Sequence, residues 1–271
     1  MWLPLVSIIL PAYNCETYIA SSVTSILEQV YDNFELIIVN DGSTDRTAEI
    51  LSTIADQRIR IINNHGNKGL ICSLNKAIDE SKGAFIARMD ADDIAANDRI
   101  EKQVHWLLHH PDTAVVGTFI RIIDEHGNEK ADWTLDRSTA SAESIKKAMT
   151  RENCLAHPTI MAKAEVLKQY KYSVQQKNIE DYDLWLRILA DGLVIEKVPQ
   201  PLLYYREHAS SITSKHLKNH NPRYKNYLCK KRFLAERWKQ NKWSRFESAV
   251  ALTMLQDRFM AFGKSVKQKS R

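Results

Sequence analysis

Apolar positions along the chain follow two rhythms, short β-branched runs and longer stretches in which apolar residues recur every three or four positions. Val6 to Leu10 reads as a strand that Pro11 interrupts, followed by a helical pattern through Ile19, Val23, Ile26, Leu27 and Val30. Phe34 to Val39 is the next strand. It breaks at Asp41-Gly42-Ser43-Thr44, where Ser43 or Thr44 is expected to cap a helix carrying Ala48, Leu51 and Ile54. Arg58 to Ile62 and Ala84 to Met89 read as further strands, separated by a helix marked by Leu70, Leu74, Ala77 and Ile78. Strands alternating with single helices predict right-handed crossovers and an α/β fold with a mainly parallel sheet.

The second half is less regular. A helix beyond Asp98 carries Ile100, Val104, Leu107 and Leu108, Ala114 to Ile123 reads as a strand, and His126-Gly127-Asn128 marks a turn. Ala131 to Asn153 is polar and is expected to form loops on the acceptor side. Thr159 to Ala162 predicts a short strand, Asp181 to Ala190 a helix, Leu193 to Val198 a strand, and Pro201 to Arg206 a segment leading into a polar loop. From about Asn219 onward the chain is basic and helical.

In a parallel sheet, ligands sit outside the carboxyl ends of the strands. Those ends are Pro11-Ala12-Tyr13-Asn14, Asn40-Asp41-Gly42-Ser43 and Asp90-Ala91-Asp92-Asp93. Crowded carboxylates repel one another and need a counter-charge, which a divalent cation held against a diphosphate would supply; a solvated acidic turn is the plain alternative. No GxGxxG joins the first two strands and no GxxxxGK[ST] occurs, which argues against an ordinary dinucleotide site and a nucleoside triphosphatase.

Composition narrows the class. A chain of 271 residues that is 44% hydrophobic suffices for one large domain with a helical appendage. No apolar run approaches the roughly 20 residues that span a bilayer, and Met1-Trp2-Leu3-Pro4-Leu5 enters a strand without the marks of a signal peptide. Cys15, Cys72, Cys154 and Cys229 lie far apart with no CxxC pair, so a reducing cytoplasm is expected rather than a disulfide or zinc framework. Ile212 to Arg271 holds 16 Lys+Arg against 3 Asp+Glu, a net +13 within a chain of net +5, so the remaining body is at −8. Tyr224, Tyr227, Leu228, Leu234 and Trp238 among Lys225, Lys230, Lys231 and Arg232 suit either an anionic membrane surface or a helix pair packed on the body; nothing accompanies the charge that would mark nucleic-acid binding.

Four ordered blocks carry a resemblance: Val6 to Asn14, Leu36 to Asp45, Ala87 to Asp93, and Glu180-Asp181-Tyr182-Asp183-Leu184-Trp185. Together they resemble the motifs of family 2 glycosyltransferases over about residues 5 to 215, most closely bacterial enzymes that extend lipooligosaccharide or O-antigen chains by β1,3-linked hexoses. The resemblance implies a GT-A fold over 1–215, with a nucleotide-sugar half at about 1–95 and an acceptor half at about 96–215, then a basic helical region at 216–271. It further implies a UDP-sugar donor, Mn2+ or Mg2+, inversion at the anomeric carbon, and a glycan or lipid-linked glycan acceptor. By the same resemblance Pro11, Ala12, Tyr13, Glu16 and Asp41 line the uridine, and Arg88, Asp90, Ala91 and Arg206 meet the ribose and diphosphate. Asp92, Asp90 and His208 hold the metal, with Asp93 in support; Asp181 is the general base and Glu180 orients the acceptor. Asn40 stands where many relatives carry an acid. Arg237-Trp238 is preceded by Leu234 and not Gln, so it departs from the Gln-x-x-Arg-Trp segment of processive synthases and implies single addition. His157-Pro158-Thr159 matches a segment near the acceptor. The expected place of work is the cytoplasm, with peripheral contact at the inner face of the cytoplasmic membrane. Two other functions remain open. A sugar-1-phosphate nucleotidyltransferase should open on a Gly-rich phosphate loop, which Pro11 to Asn14 is not. A non-catalytic sugar-nucleotide-binding module should lack one of Asp41, Asp90, Asp92 and Asp181.

Overall fold

The computed structural model describes residues 3–209, 211 and 221–269, with side chains to residue 261. The expected boundary between 215 and 216, the start of the basic helical region at Asn219, and the residues Met1 and Trp2 fall outside the described residues.

The chain alternates β1 (Val6–Ala12), α1 (Ile19–Leu27), β2 (Phe34–Asn40), α2 (Thr47–Thr53), β3 (Ile59–Asn63), α3 (Leu70–Glu80) and β4 (Phe85–Arg88). There follow β5 (Ile94–Ala95), α4 (Arg99–His109), β6 (Thr113–Ile123), β7 (Glu129–Asp132), α5 (Thr134–Ser138) and α6 (Ala142–Met149). A 3-10 turn (His157–Thr159) leads to β8 (Met161–Lys163), α7 (Ala164–Tyr170), α8 (Glu180–Ala190) and β9 (Val194–Arg206). Two helices end the chain, α9 (Pro222–Lys239) and α10 (Arg245–Lys269). The strands form one mixed sheet in the order β3-β2-β1-β4-β8-β6-β9-β5, with β7 paired to β6. Strands β1 to β4 are mutually parallel, and β8 joins β4 antiparallel.

Period-two alternation sends each strand's residues to opposite faces, and both faces are covered. Ile9, Ile37, Val39 and Ile86 meet Leu74 of α3, Met149 of α6, Trp185 of α8 and Phe233 of α9. Ile8, Leu10, Leu36 and Ile38 meet Val23 of α1, Leu51 of α2 and Val104 of α4. Burial on both faces explains why these strands read as continuous apolar runs.

Four expectations change. Strand β1 runs through Pro11, which pairs with Val39 of β2 at a point where β4 has already ended on the other side, so the missing N–H interrupts no ladder there. Neither Ser43 nor Thr44 caps α2. Thr47 N donates to Asp45 Oδ1 at 3.0 Å, while Ser43 Oγ accepts from Asn14 N and Thr44 N donates to Asn14 Oδ1. Within the polar stretch from Ala131 to Asn153, β7, α5 and α6 stand where loop was expected, and Asp136 of α5, buried, accepts from Lys197 Nζ at 2.9 Å and from Ile120 N at 2.9 Å. Finally, β9 is one strand through Pro201, with a register shift against β6 at Phe119 that accommodates the proline.

Candidate active site

The loops after β1 and β2 are stitched together before any ligand is considered. Asn14, at φ 49°, exchanges hydrogen bonds with Ser43 and Thr44; Glu16 N donates to Asp45 Oδ2, and Arg46 N donates to Glu16 Oε2. Pro11 and Ala12 are buried at the floor of this seam, and Tyr13 stands half exposed above it. Asp41 is buried and multiply bonded. Its Oδ1 accepts from Asn64 Nδ2 at 2.7 Å and Lys68 N at 2.9 Å, and its Oδ2 accepts from Gly69 N at 2.8 Å. Asp41 therefore clamps the loop that leads into α3, and its Oδ2, with one bond, has remaining acceptor capacity.

At the end of β4 Arg88 is buried and forks onto Asp90, with Nη1 donating to Oδ2 at 2.8 Å and Nη2 to Oδ1. Its Nε has no partner among the described residues. Arg99 of α4, also buried, donates from Nη2 to the Arg88 carbonyl at 2.7 Å and fixes the strand end. Asp90, Asp92 and Asp93 each offer a carboxylate oxygen such that these atoms lie within 4.8 Å of one another. Burial raises the Asp90 carboxyl to about 6 although Arg88 opposes the shift, and burial with Asp92 and Asp90 alongside raises Asp93 well above the usual carboxylate range. Oδ2 of Asp93 is buried with no partner among the described residues. Three crowded carboxylates with one orphaned oxygen fit a divalent cation.

His208 lies at the rim of this group. Its Nε2 is 2.8 Å from Asp92 Oδ2, and its ring tilts against Tyr18 at 4.9 Å. Asp93, expected only in support, thus joins Asp90 and Asp92 in one carboxylate group, and His208 touches that group through Asp92. Arg206 at the end of β9 acts chiefly as a brace. Its N donates to Asp93 Oδ1, its Nε to the Asp92 carbonyl and its Nη1 to the carbonyls of Asp124 and Glu125, with the guanidinium 4.7 Å over the Tyr18 ring. Ala91 is packed into the core cluster and offers a ligand only its backbone.

The remaining carboxylates come from α8. Glu180 is buried and Asp181 half buried at its first turn. Asp181 Oδ2 accepts from Asn153 Nδ2 at 2.6 Å and Oδ1 from Tyr182 N at 2.8 Å. Burial raises both carboxyls, Glu180 to about 7 with Asp181 adding to the rise, while the Arg88 charge reaches each of them and opposes it. The Arg88 charge thereby acts on both Asp90 of the acidic loop and the α8 carboxylates. Lys225 of α9 also acts on Glu180 through its charge. His157 Nε2 meets Tyr172 Oη at 2.7 Å, and burial together with Arg88 holds its imidazole neutral, well below its ordinary range. Trp185 is core.

Sequence reasoning missed Asn153, Tyr18 and Tyr172. Asn153 sits in a loop that the last two helices hold in place: Lys230 Nζ donates to the Arg151 carbonyl at 2.8 Å, and Thr253 Oγ1 donates to that of Thr150. Its signal would be only its place 28 residues before Asp181, which no periodicity marks.

Residues 7–171 match the model of glycosyl transferase family 2. The chain belongs to glycosyltransferase family 2. The O-antigen biosynthesis glycosyltransferase WbnJ of Escherichia coli is 36% identical over 214 residues, covering 77% of this chain and 82% of that one. The UDP-Glc:alpha-D-GlcNAc-diphosphoundecaprenol beta-1,3-glucosyltransferase WfaP of Escherichia coli is 32% identical, covering 79% and 82%. Among solved structures, S. aureus TarS 1-349 in complex with UDP-GlcNAc superposes with a TM-score of 0.74 at 18% identity, over 94% of this chain and 72% of that one. The mannosyltransferase PcManGT of Pyrobaculum calidifontis, in complex with GDP-Man and Mn2+, gives 0.66 at 17% over 98% and 76%. The family 2 glycosyltransferase fold is therefore GT-A, extended here by two basic helices. No helix among the described residues is long and apolar enough to cross a membrane.

Proposed function

We propose that this family 2 glycosyltransferase is an inverting, metal-dependent, non-processive hexosyltransferase. It moves GlcNAc, Glc or Gal from a UDP-sugar to a hydroxyl of a lipid-linked glycan, in β1,3 linkage, during assembly of a surface polysaccharide such as lipopolysaccharide O-antigen or capsule. The observation that carries this reading is the group of Asp90, Asp92 and Asp93 at the end of β4, with Asp93 Oδ2 buried and without a partner among the described residues and Arg88 forked onto Asp90. The names of WbnJ and WfaP support the pathway, the donor and the linkage.

Asp90, Asp92 and Asp93 would hold Mn2+ or Mg2+, with His208 at the rim, and the cation supplies Lewis-acid stabilisation of the departing diphosphate. Tyr13 offers a face to the base, and Oδ2 of Asp41 accepts from its N3–H. The seam around Asn14 and Glu16 holds that subsite rigid. Asp181 accepts the proton of the acceptor hydroxyl as its oxygen attacks the anomeric carbon and the bond to the diphosphate oxygen breaks. Attack from the face opposite the leaving group inverts the centre. Asn153 and the Tyr182 N–H keep both Asp181 oxygens in place, and the raised pKa makes the carboxylate a better proton acceptor than an exposed one. Glu180, beside it, orients the acceptor sugar. Arg206 keeps the acidic loop in register.

The test is a panel of UDP-glucose, UDP-galactose, UDP-GlcNAc and GDP-mannose, assayed for metal-dependent hydrolysis and transfer. One UDP-sugar should be turned over with Mn2+ or Mg2+ and not with chelator. Asp92→Asn should lose metal-dependent donor binding by calorimetry. Turnover that is indifferent to chelator, or restricted to GDP-mannose, would sink the metal or the uridine reading respectively.

A further inference from the structure

α10 buries acids on its inward face and leaves large apolar side chains on its outward face. On α10 the inward face carries Glu247, Thr253 and Asp257 beside Phe246, Val250 and Ala261. The acids are neutralised there by α9: Arg237 Nε donates to Glu247 Oε1 at 2.8 Å, Lys230 Nζ to Asp257 Oδ2 at 2.7 Å, and Arg223 Nη1 to Asp257 Oδ1 at 3.2 Å. The outward face carries Leu252, Leu255 and Phe259, spaced i, i+3 and i+7, with Met260 beside them; Leu252 is 61% and Phe259 78% exposed. At the turn joining the helices Trp238 and Trp243 meet edge to face at 5.6 Å, and both are exposed. A surface helix ordinarily does the reverse, with apolar residues inward and charges outward. A continuous apolar stripe of this kind marks a docking surface.

Charge identifies the occupant. Glu236, Glu247 and Asp257, the acids of residues 221–261, are each in an ion pair with a basic residue of α9. The exposed Arg245 and Arg258 lie on α10 with the stripe, and Lys264, Lys267 and Lys269 continue the basic run in the sequence. A second copy of the chain would bring the same cationic face against its own, which opposes pairing. An anionic lipid bilayer meets all three features: acyl chains for the stripe, the headgroup zone for indoles, and negative charge for the arginines and lysines. We propose that the outer face of α10, with the Trp238–Trp243 pair at its end, is a docking surface for an anionic lipid bilayer, into which Leu252, Leu255 and Phe259 insert. Of the aromatic and apolar residues that the sequence sets among the tail's basic ones, Leu234 packs in the core and Trp238 stands exposed. The inference is independent of the donor reading, since vesicle binding is measured without sugar nucleotide.

The full chain is sedimented with vesicles of phosphatidylcholine alone or mixed with phosphatidylglycerol, while tryptophan emission is recorded. Binding to the anionic vesicles, a blue shift, and little binding to phosphatidylcholine are expected. The double variant Leu252→Ser/Phe259→Ser should lose about tenfold in partitioning and keep donor hydrolysis, because neither side chain is in the site. Arg245→Glu/Arg258→Glu should also weaken binding, most strongly at low salt. Absence of vesicle binding, equal binding by the variants, or a dimer in light scattering that Leu252→Ser/Phe259→Ser dissociates would overturn the proposal, the last in favour of a second copy as occupant.

Discussion

Asp41 after β2 and the pair Glu180 and Asp181 on α8 are held in opposite ways. Asp41 takes three hydrogen bonds, two from backbone N–H groups, and so works as a rivet for the loop into α3 as much as a ligand contact. Asp181 and Glu180 are held by few bonds in a poorly solvated place and are raised above the ordinary carboxylate range. The contrast separates architecture from chemistry. Loss of Asp41 should register in stability, loss of Asp181 in rate.

The sharpest way to break that division is Asp181→Asn. A drop of about 10³ in kcat, or about 4 kcal/mol, is expected with urea-unfolding stability unchanged. A destabilised variant with normal turnover would dissolve the contrast. Next comes Asp41→Ala, which strands Asn64 Nδ2 and the N–H groups of Lys68 and Gly69 and should cost about 3 kcal/mol in the same unfolding assay. Asn153→Ala should lower kcat by about tenfold, about 1.4 kcal/mol, and move the acid limb of the rate profile to higher pH, since the ionised form of Asp181 loses a donor. A merely structural Asn153 would leave that limb in place.

The smallest effect concerns pH. Glu180, facing Asp181, Arg88 and Lys225, has its carboxyl raised to about 7 in the folded protein against an ordinary 4.5. The folded state therefore binds the proton more tightly. Stability from this group is fully present below pH 4.5 and is lost as pH rises through 7. Activity runs the other way if the ionised form orients the acceptor: the rate at pH 8 should exceed that at pH 7 by about twofold, and Glu180→Gln should bring the ratio to about one. Unfolding and initial rates measured across pH 5 to 8 check both signs.

Much of this contrast was legible in the sequence because the donor half is regular. Its strands alternate, its loops fall at strand ends, and Asp41 and Asp90 to Asp93 sit where a parallel sheet places them. The acceptor half conceals itself. Asp136 and Lys197 pair inside the protein, so a stretch that reads as polar loop is folded around them. Asn153 reaches Asp181 across 28 residues of chain, a distance over which no periodicity carries information. On α10 Leu252, Leu255 and Phe259 are left outside, while Glu247 and Asp257, paired with Arg237 and Lys230 of α9, take inner positions that no apolar periodicity marks.

The acidic loop has a further consequence. It leaves β4 in the middle of the sheet at Arg88 and enters β5, the last strand in the sheet order, at Ile94, and β5 is paired to β9. Both ends are thus tied to strands, and Arg206 ties its interior. Surface loops ordinarily accept insertions and deletions. This one is a tie-rod of set length, so among relatives the spacing between the end of β4 and the start of β5 should vary less than the residues within it, and one extra residue there should be worse tolerated than a conservative exchange.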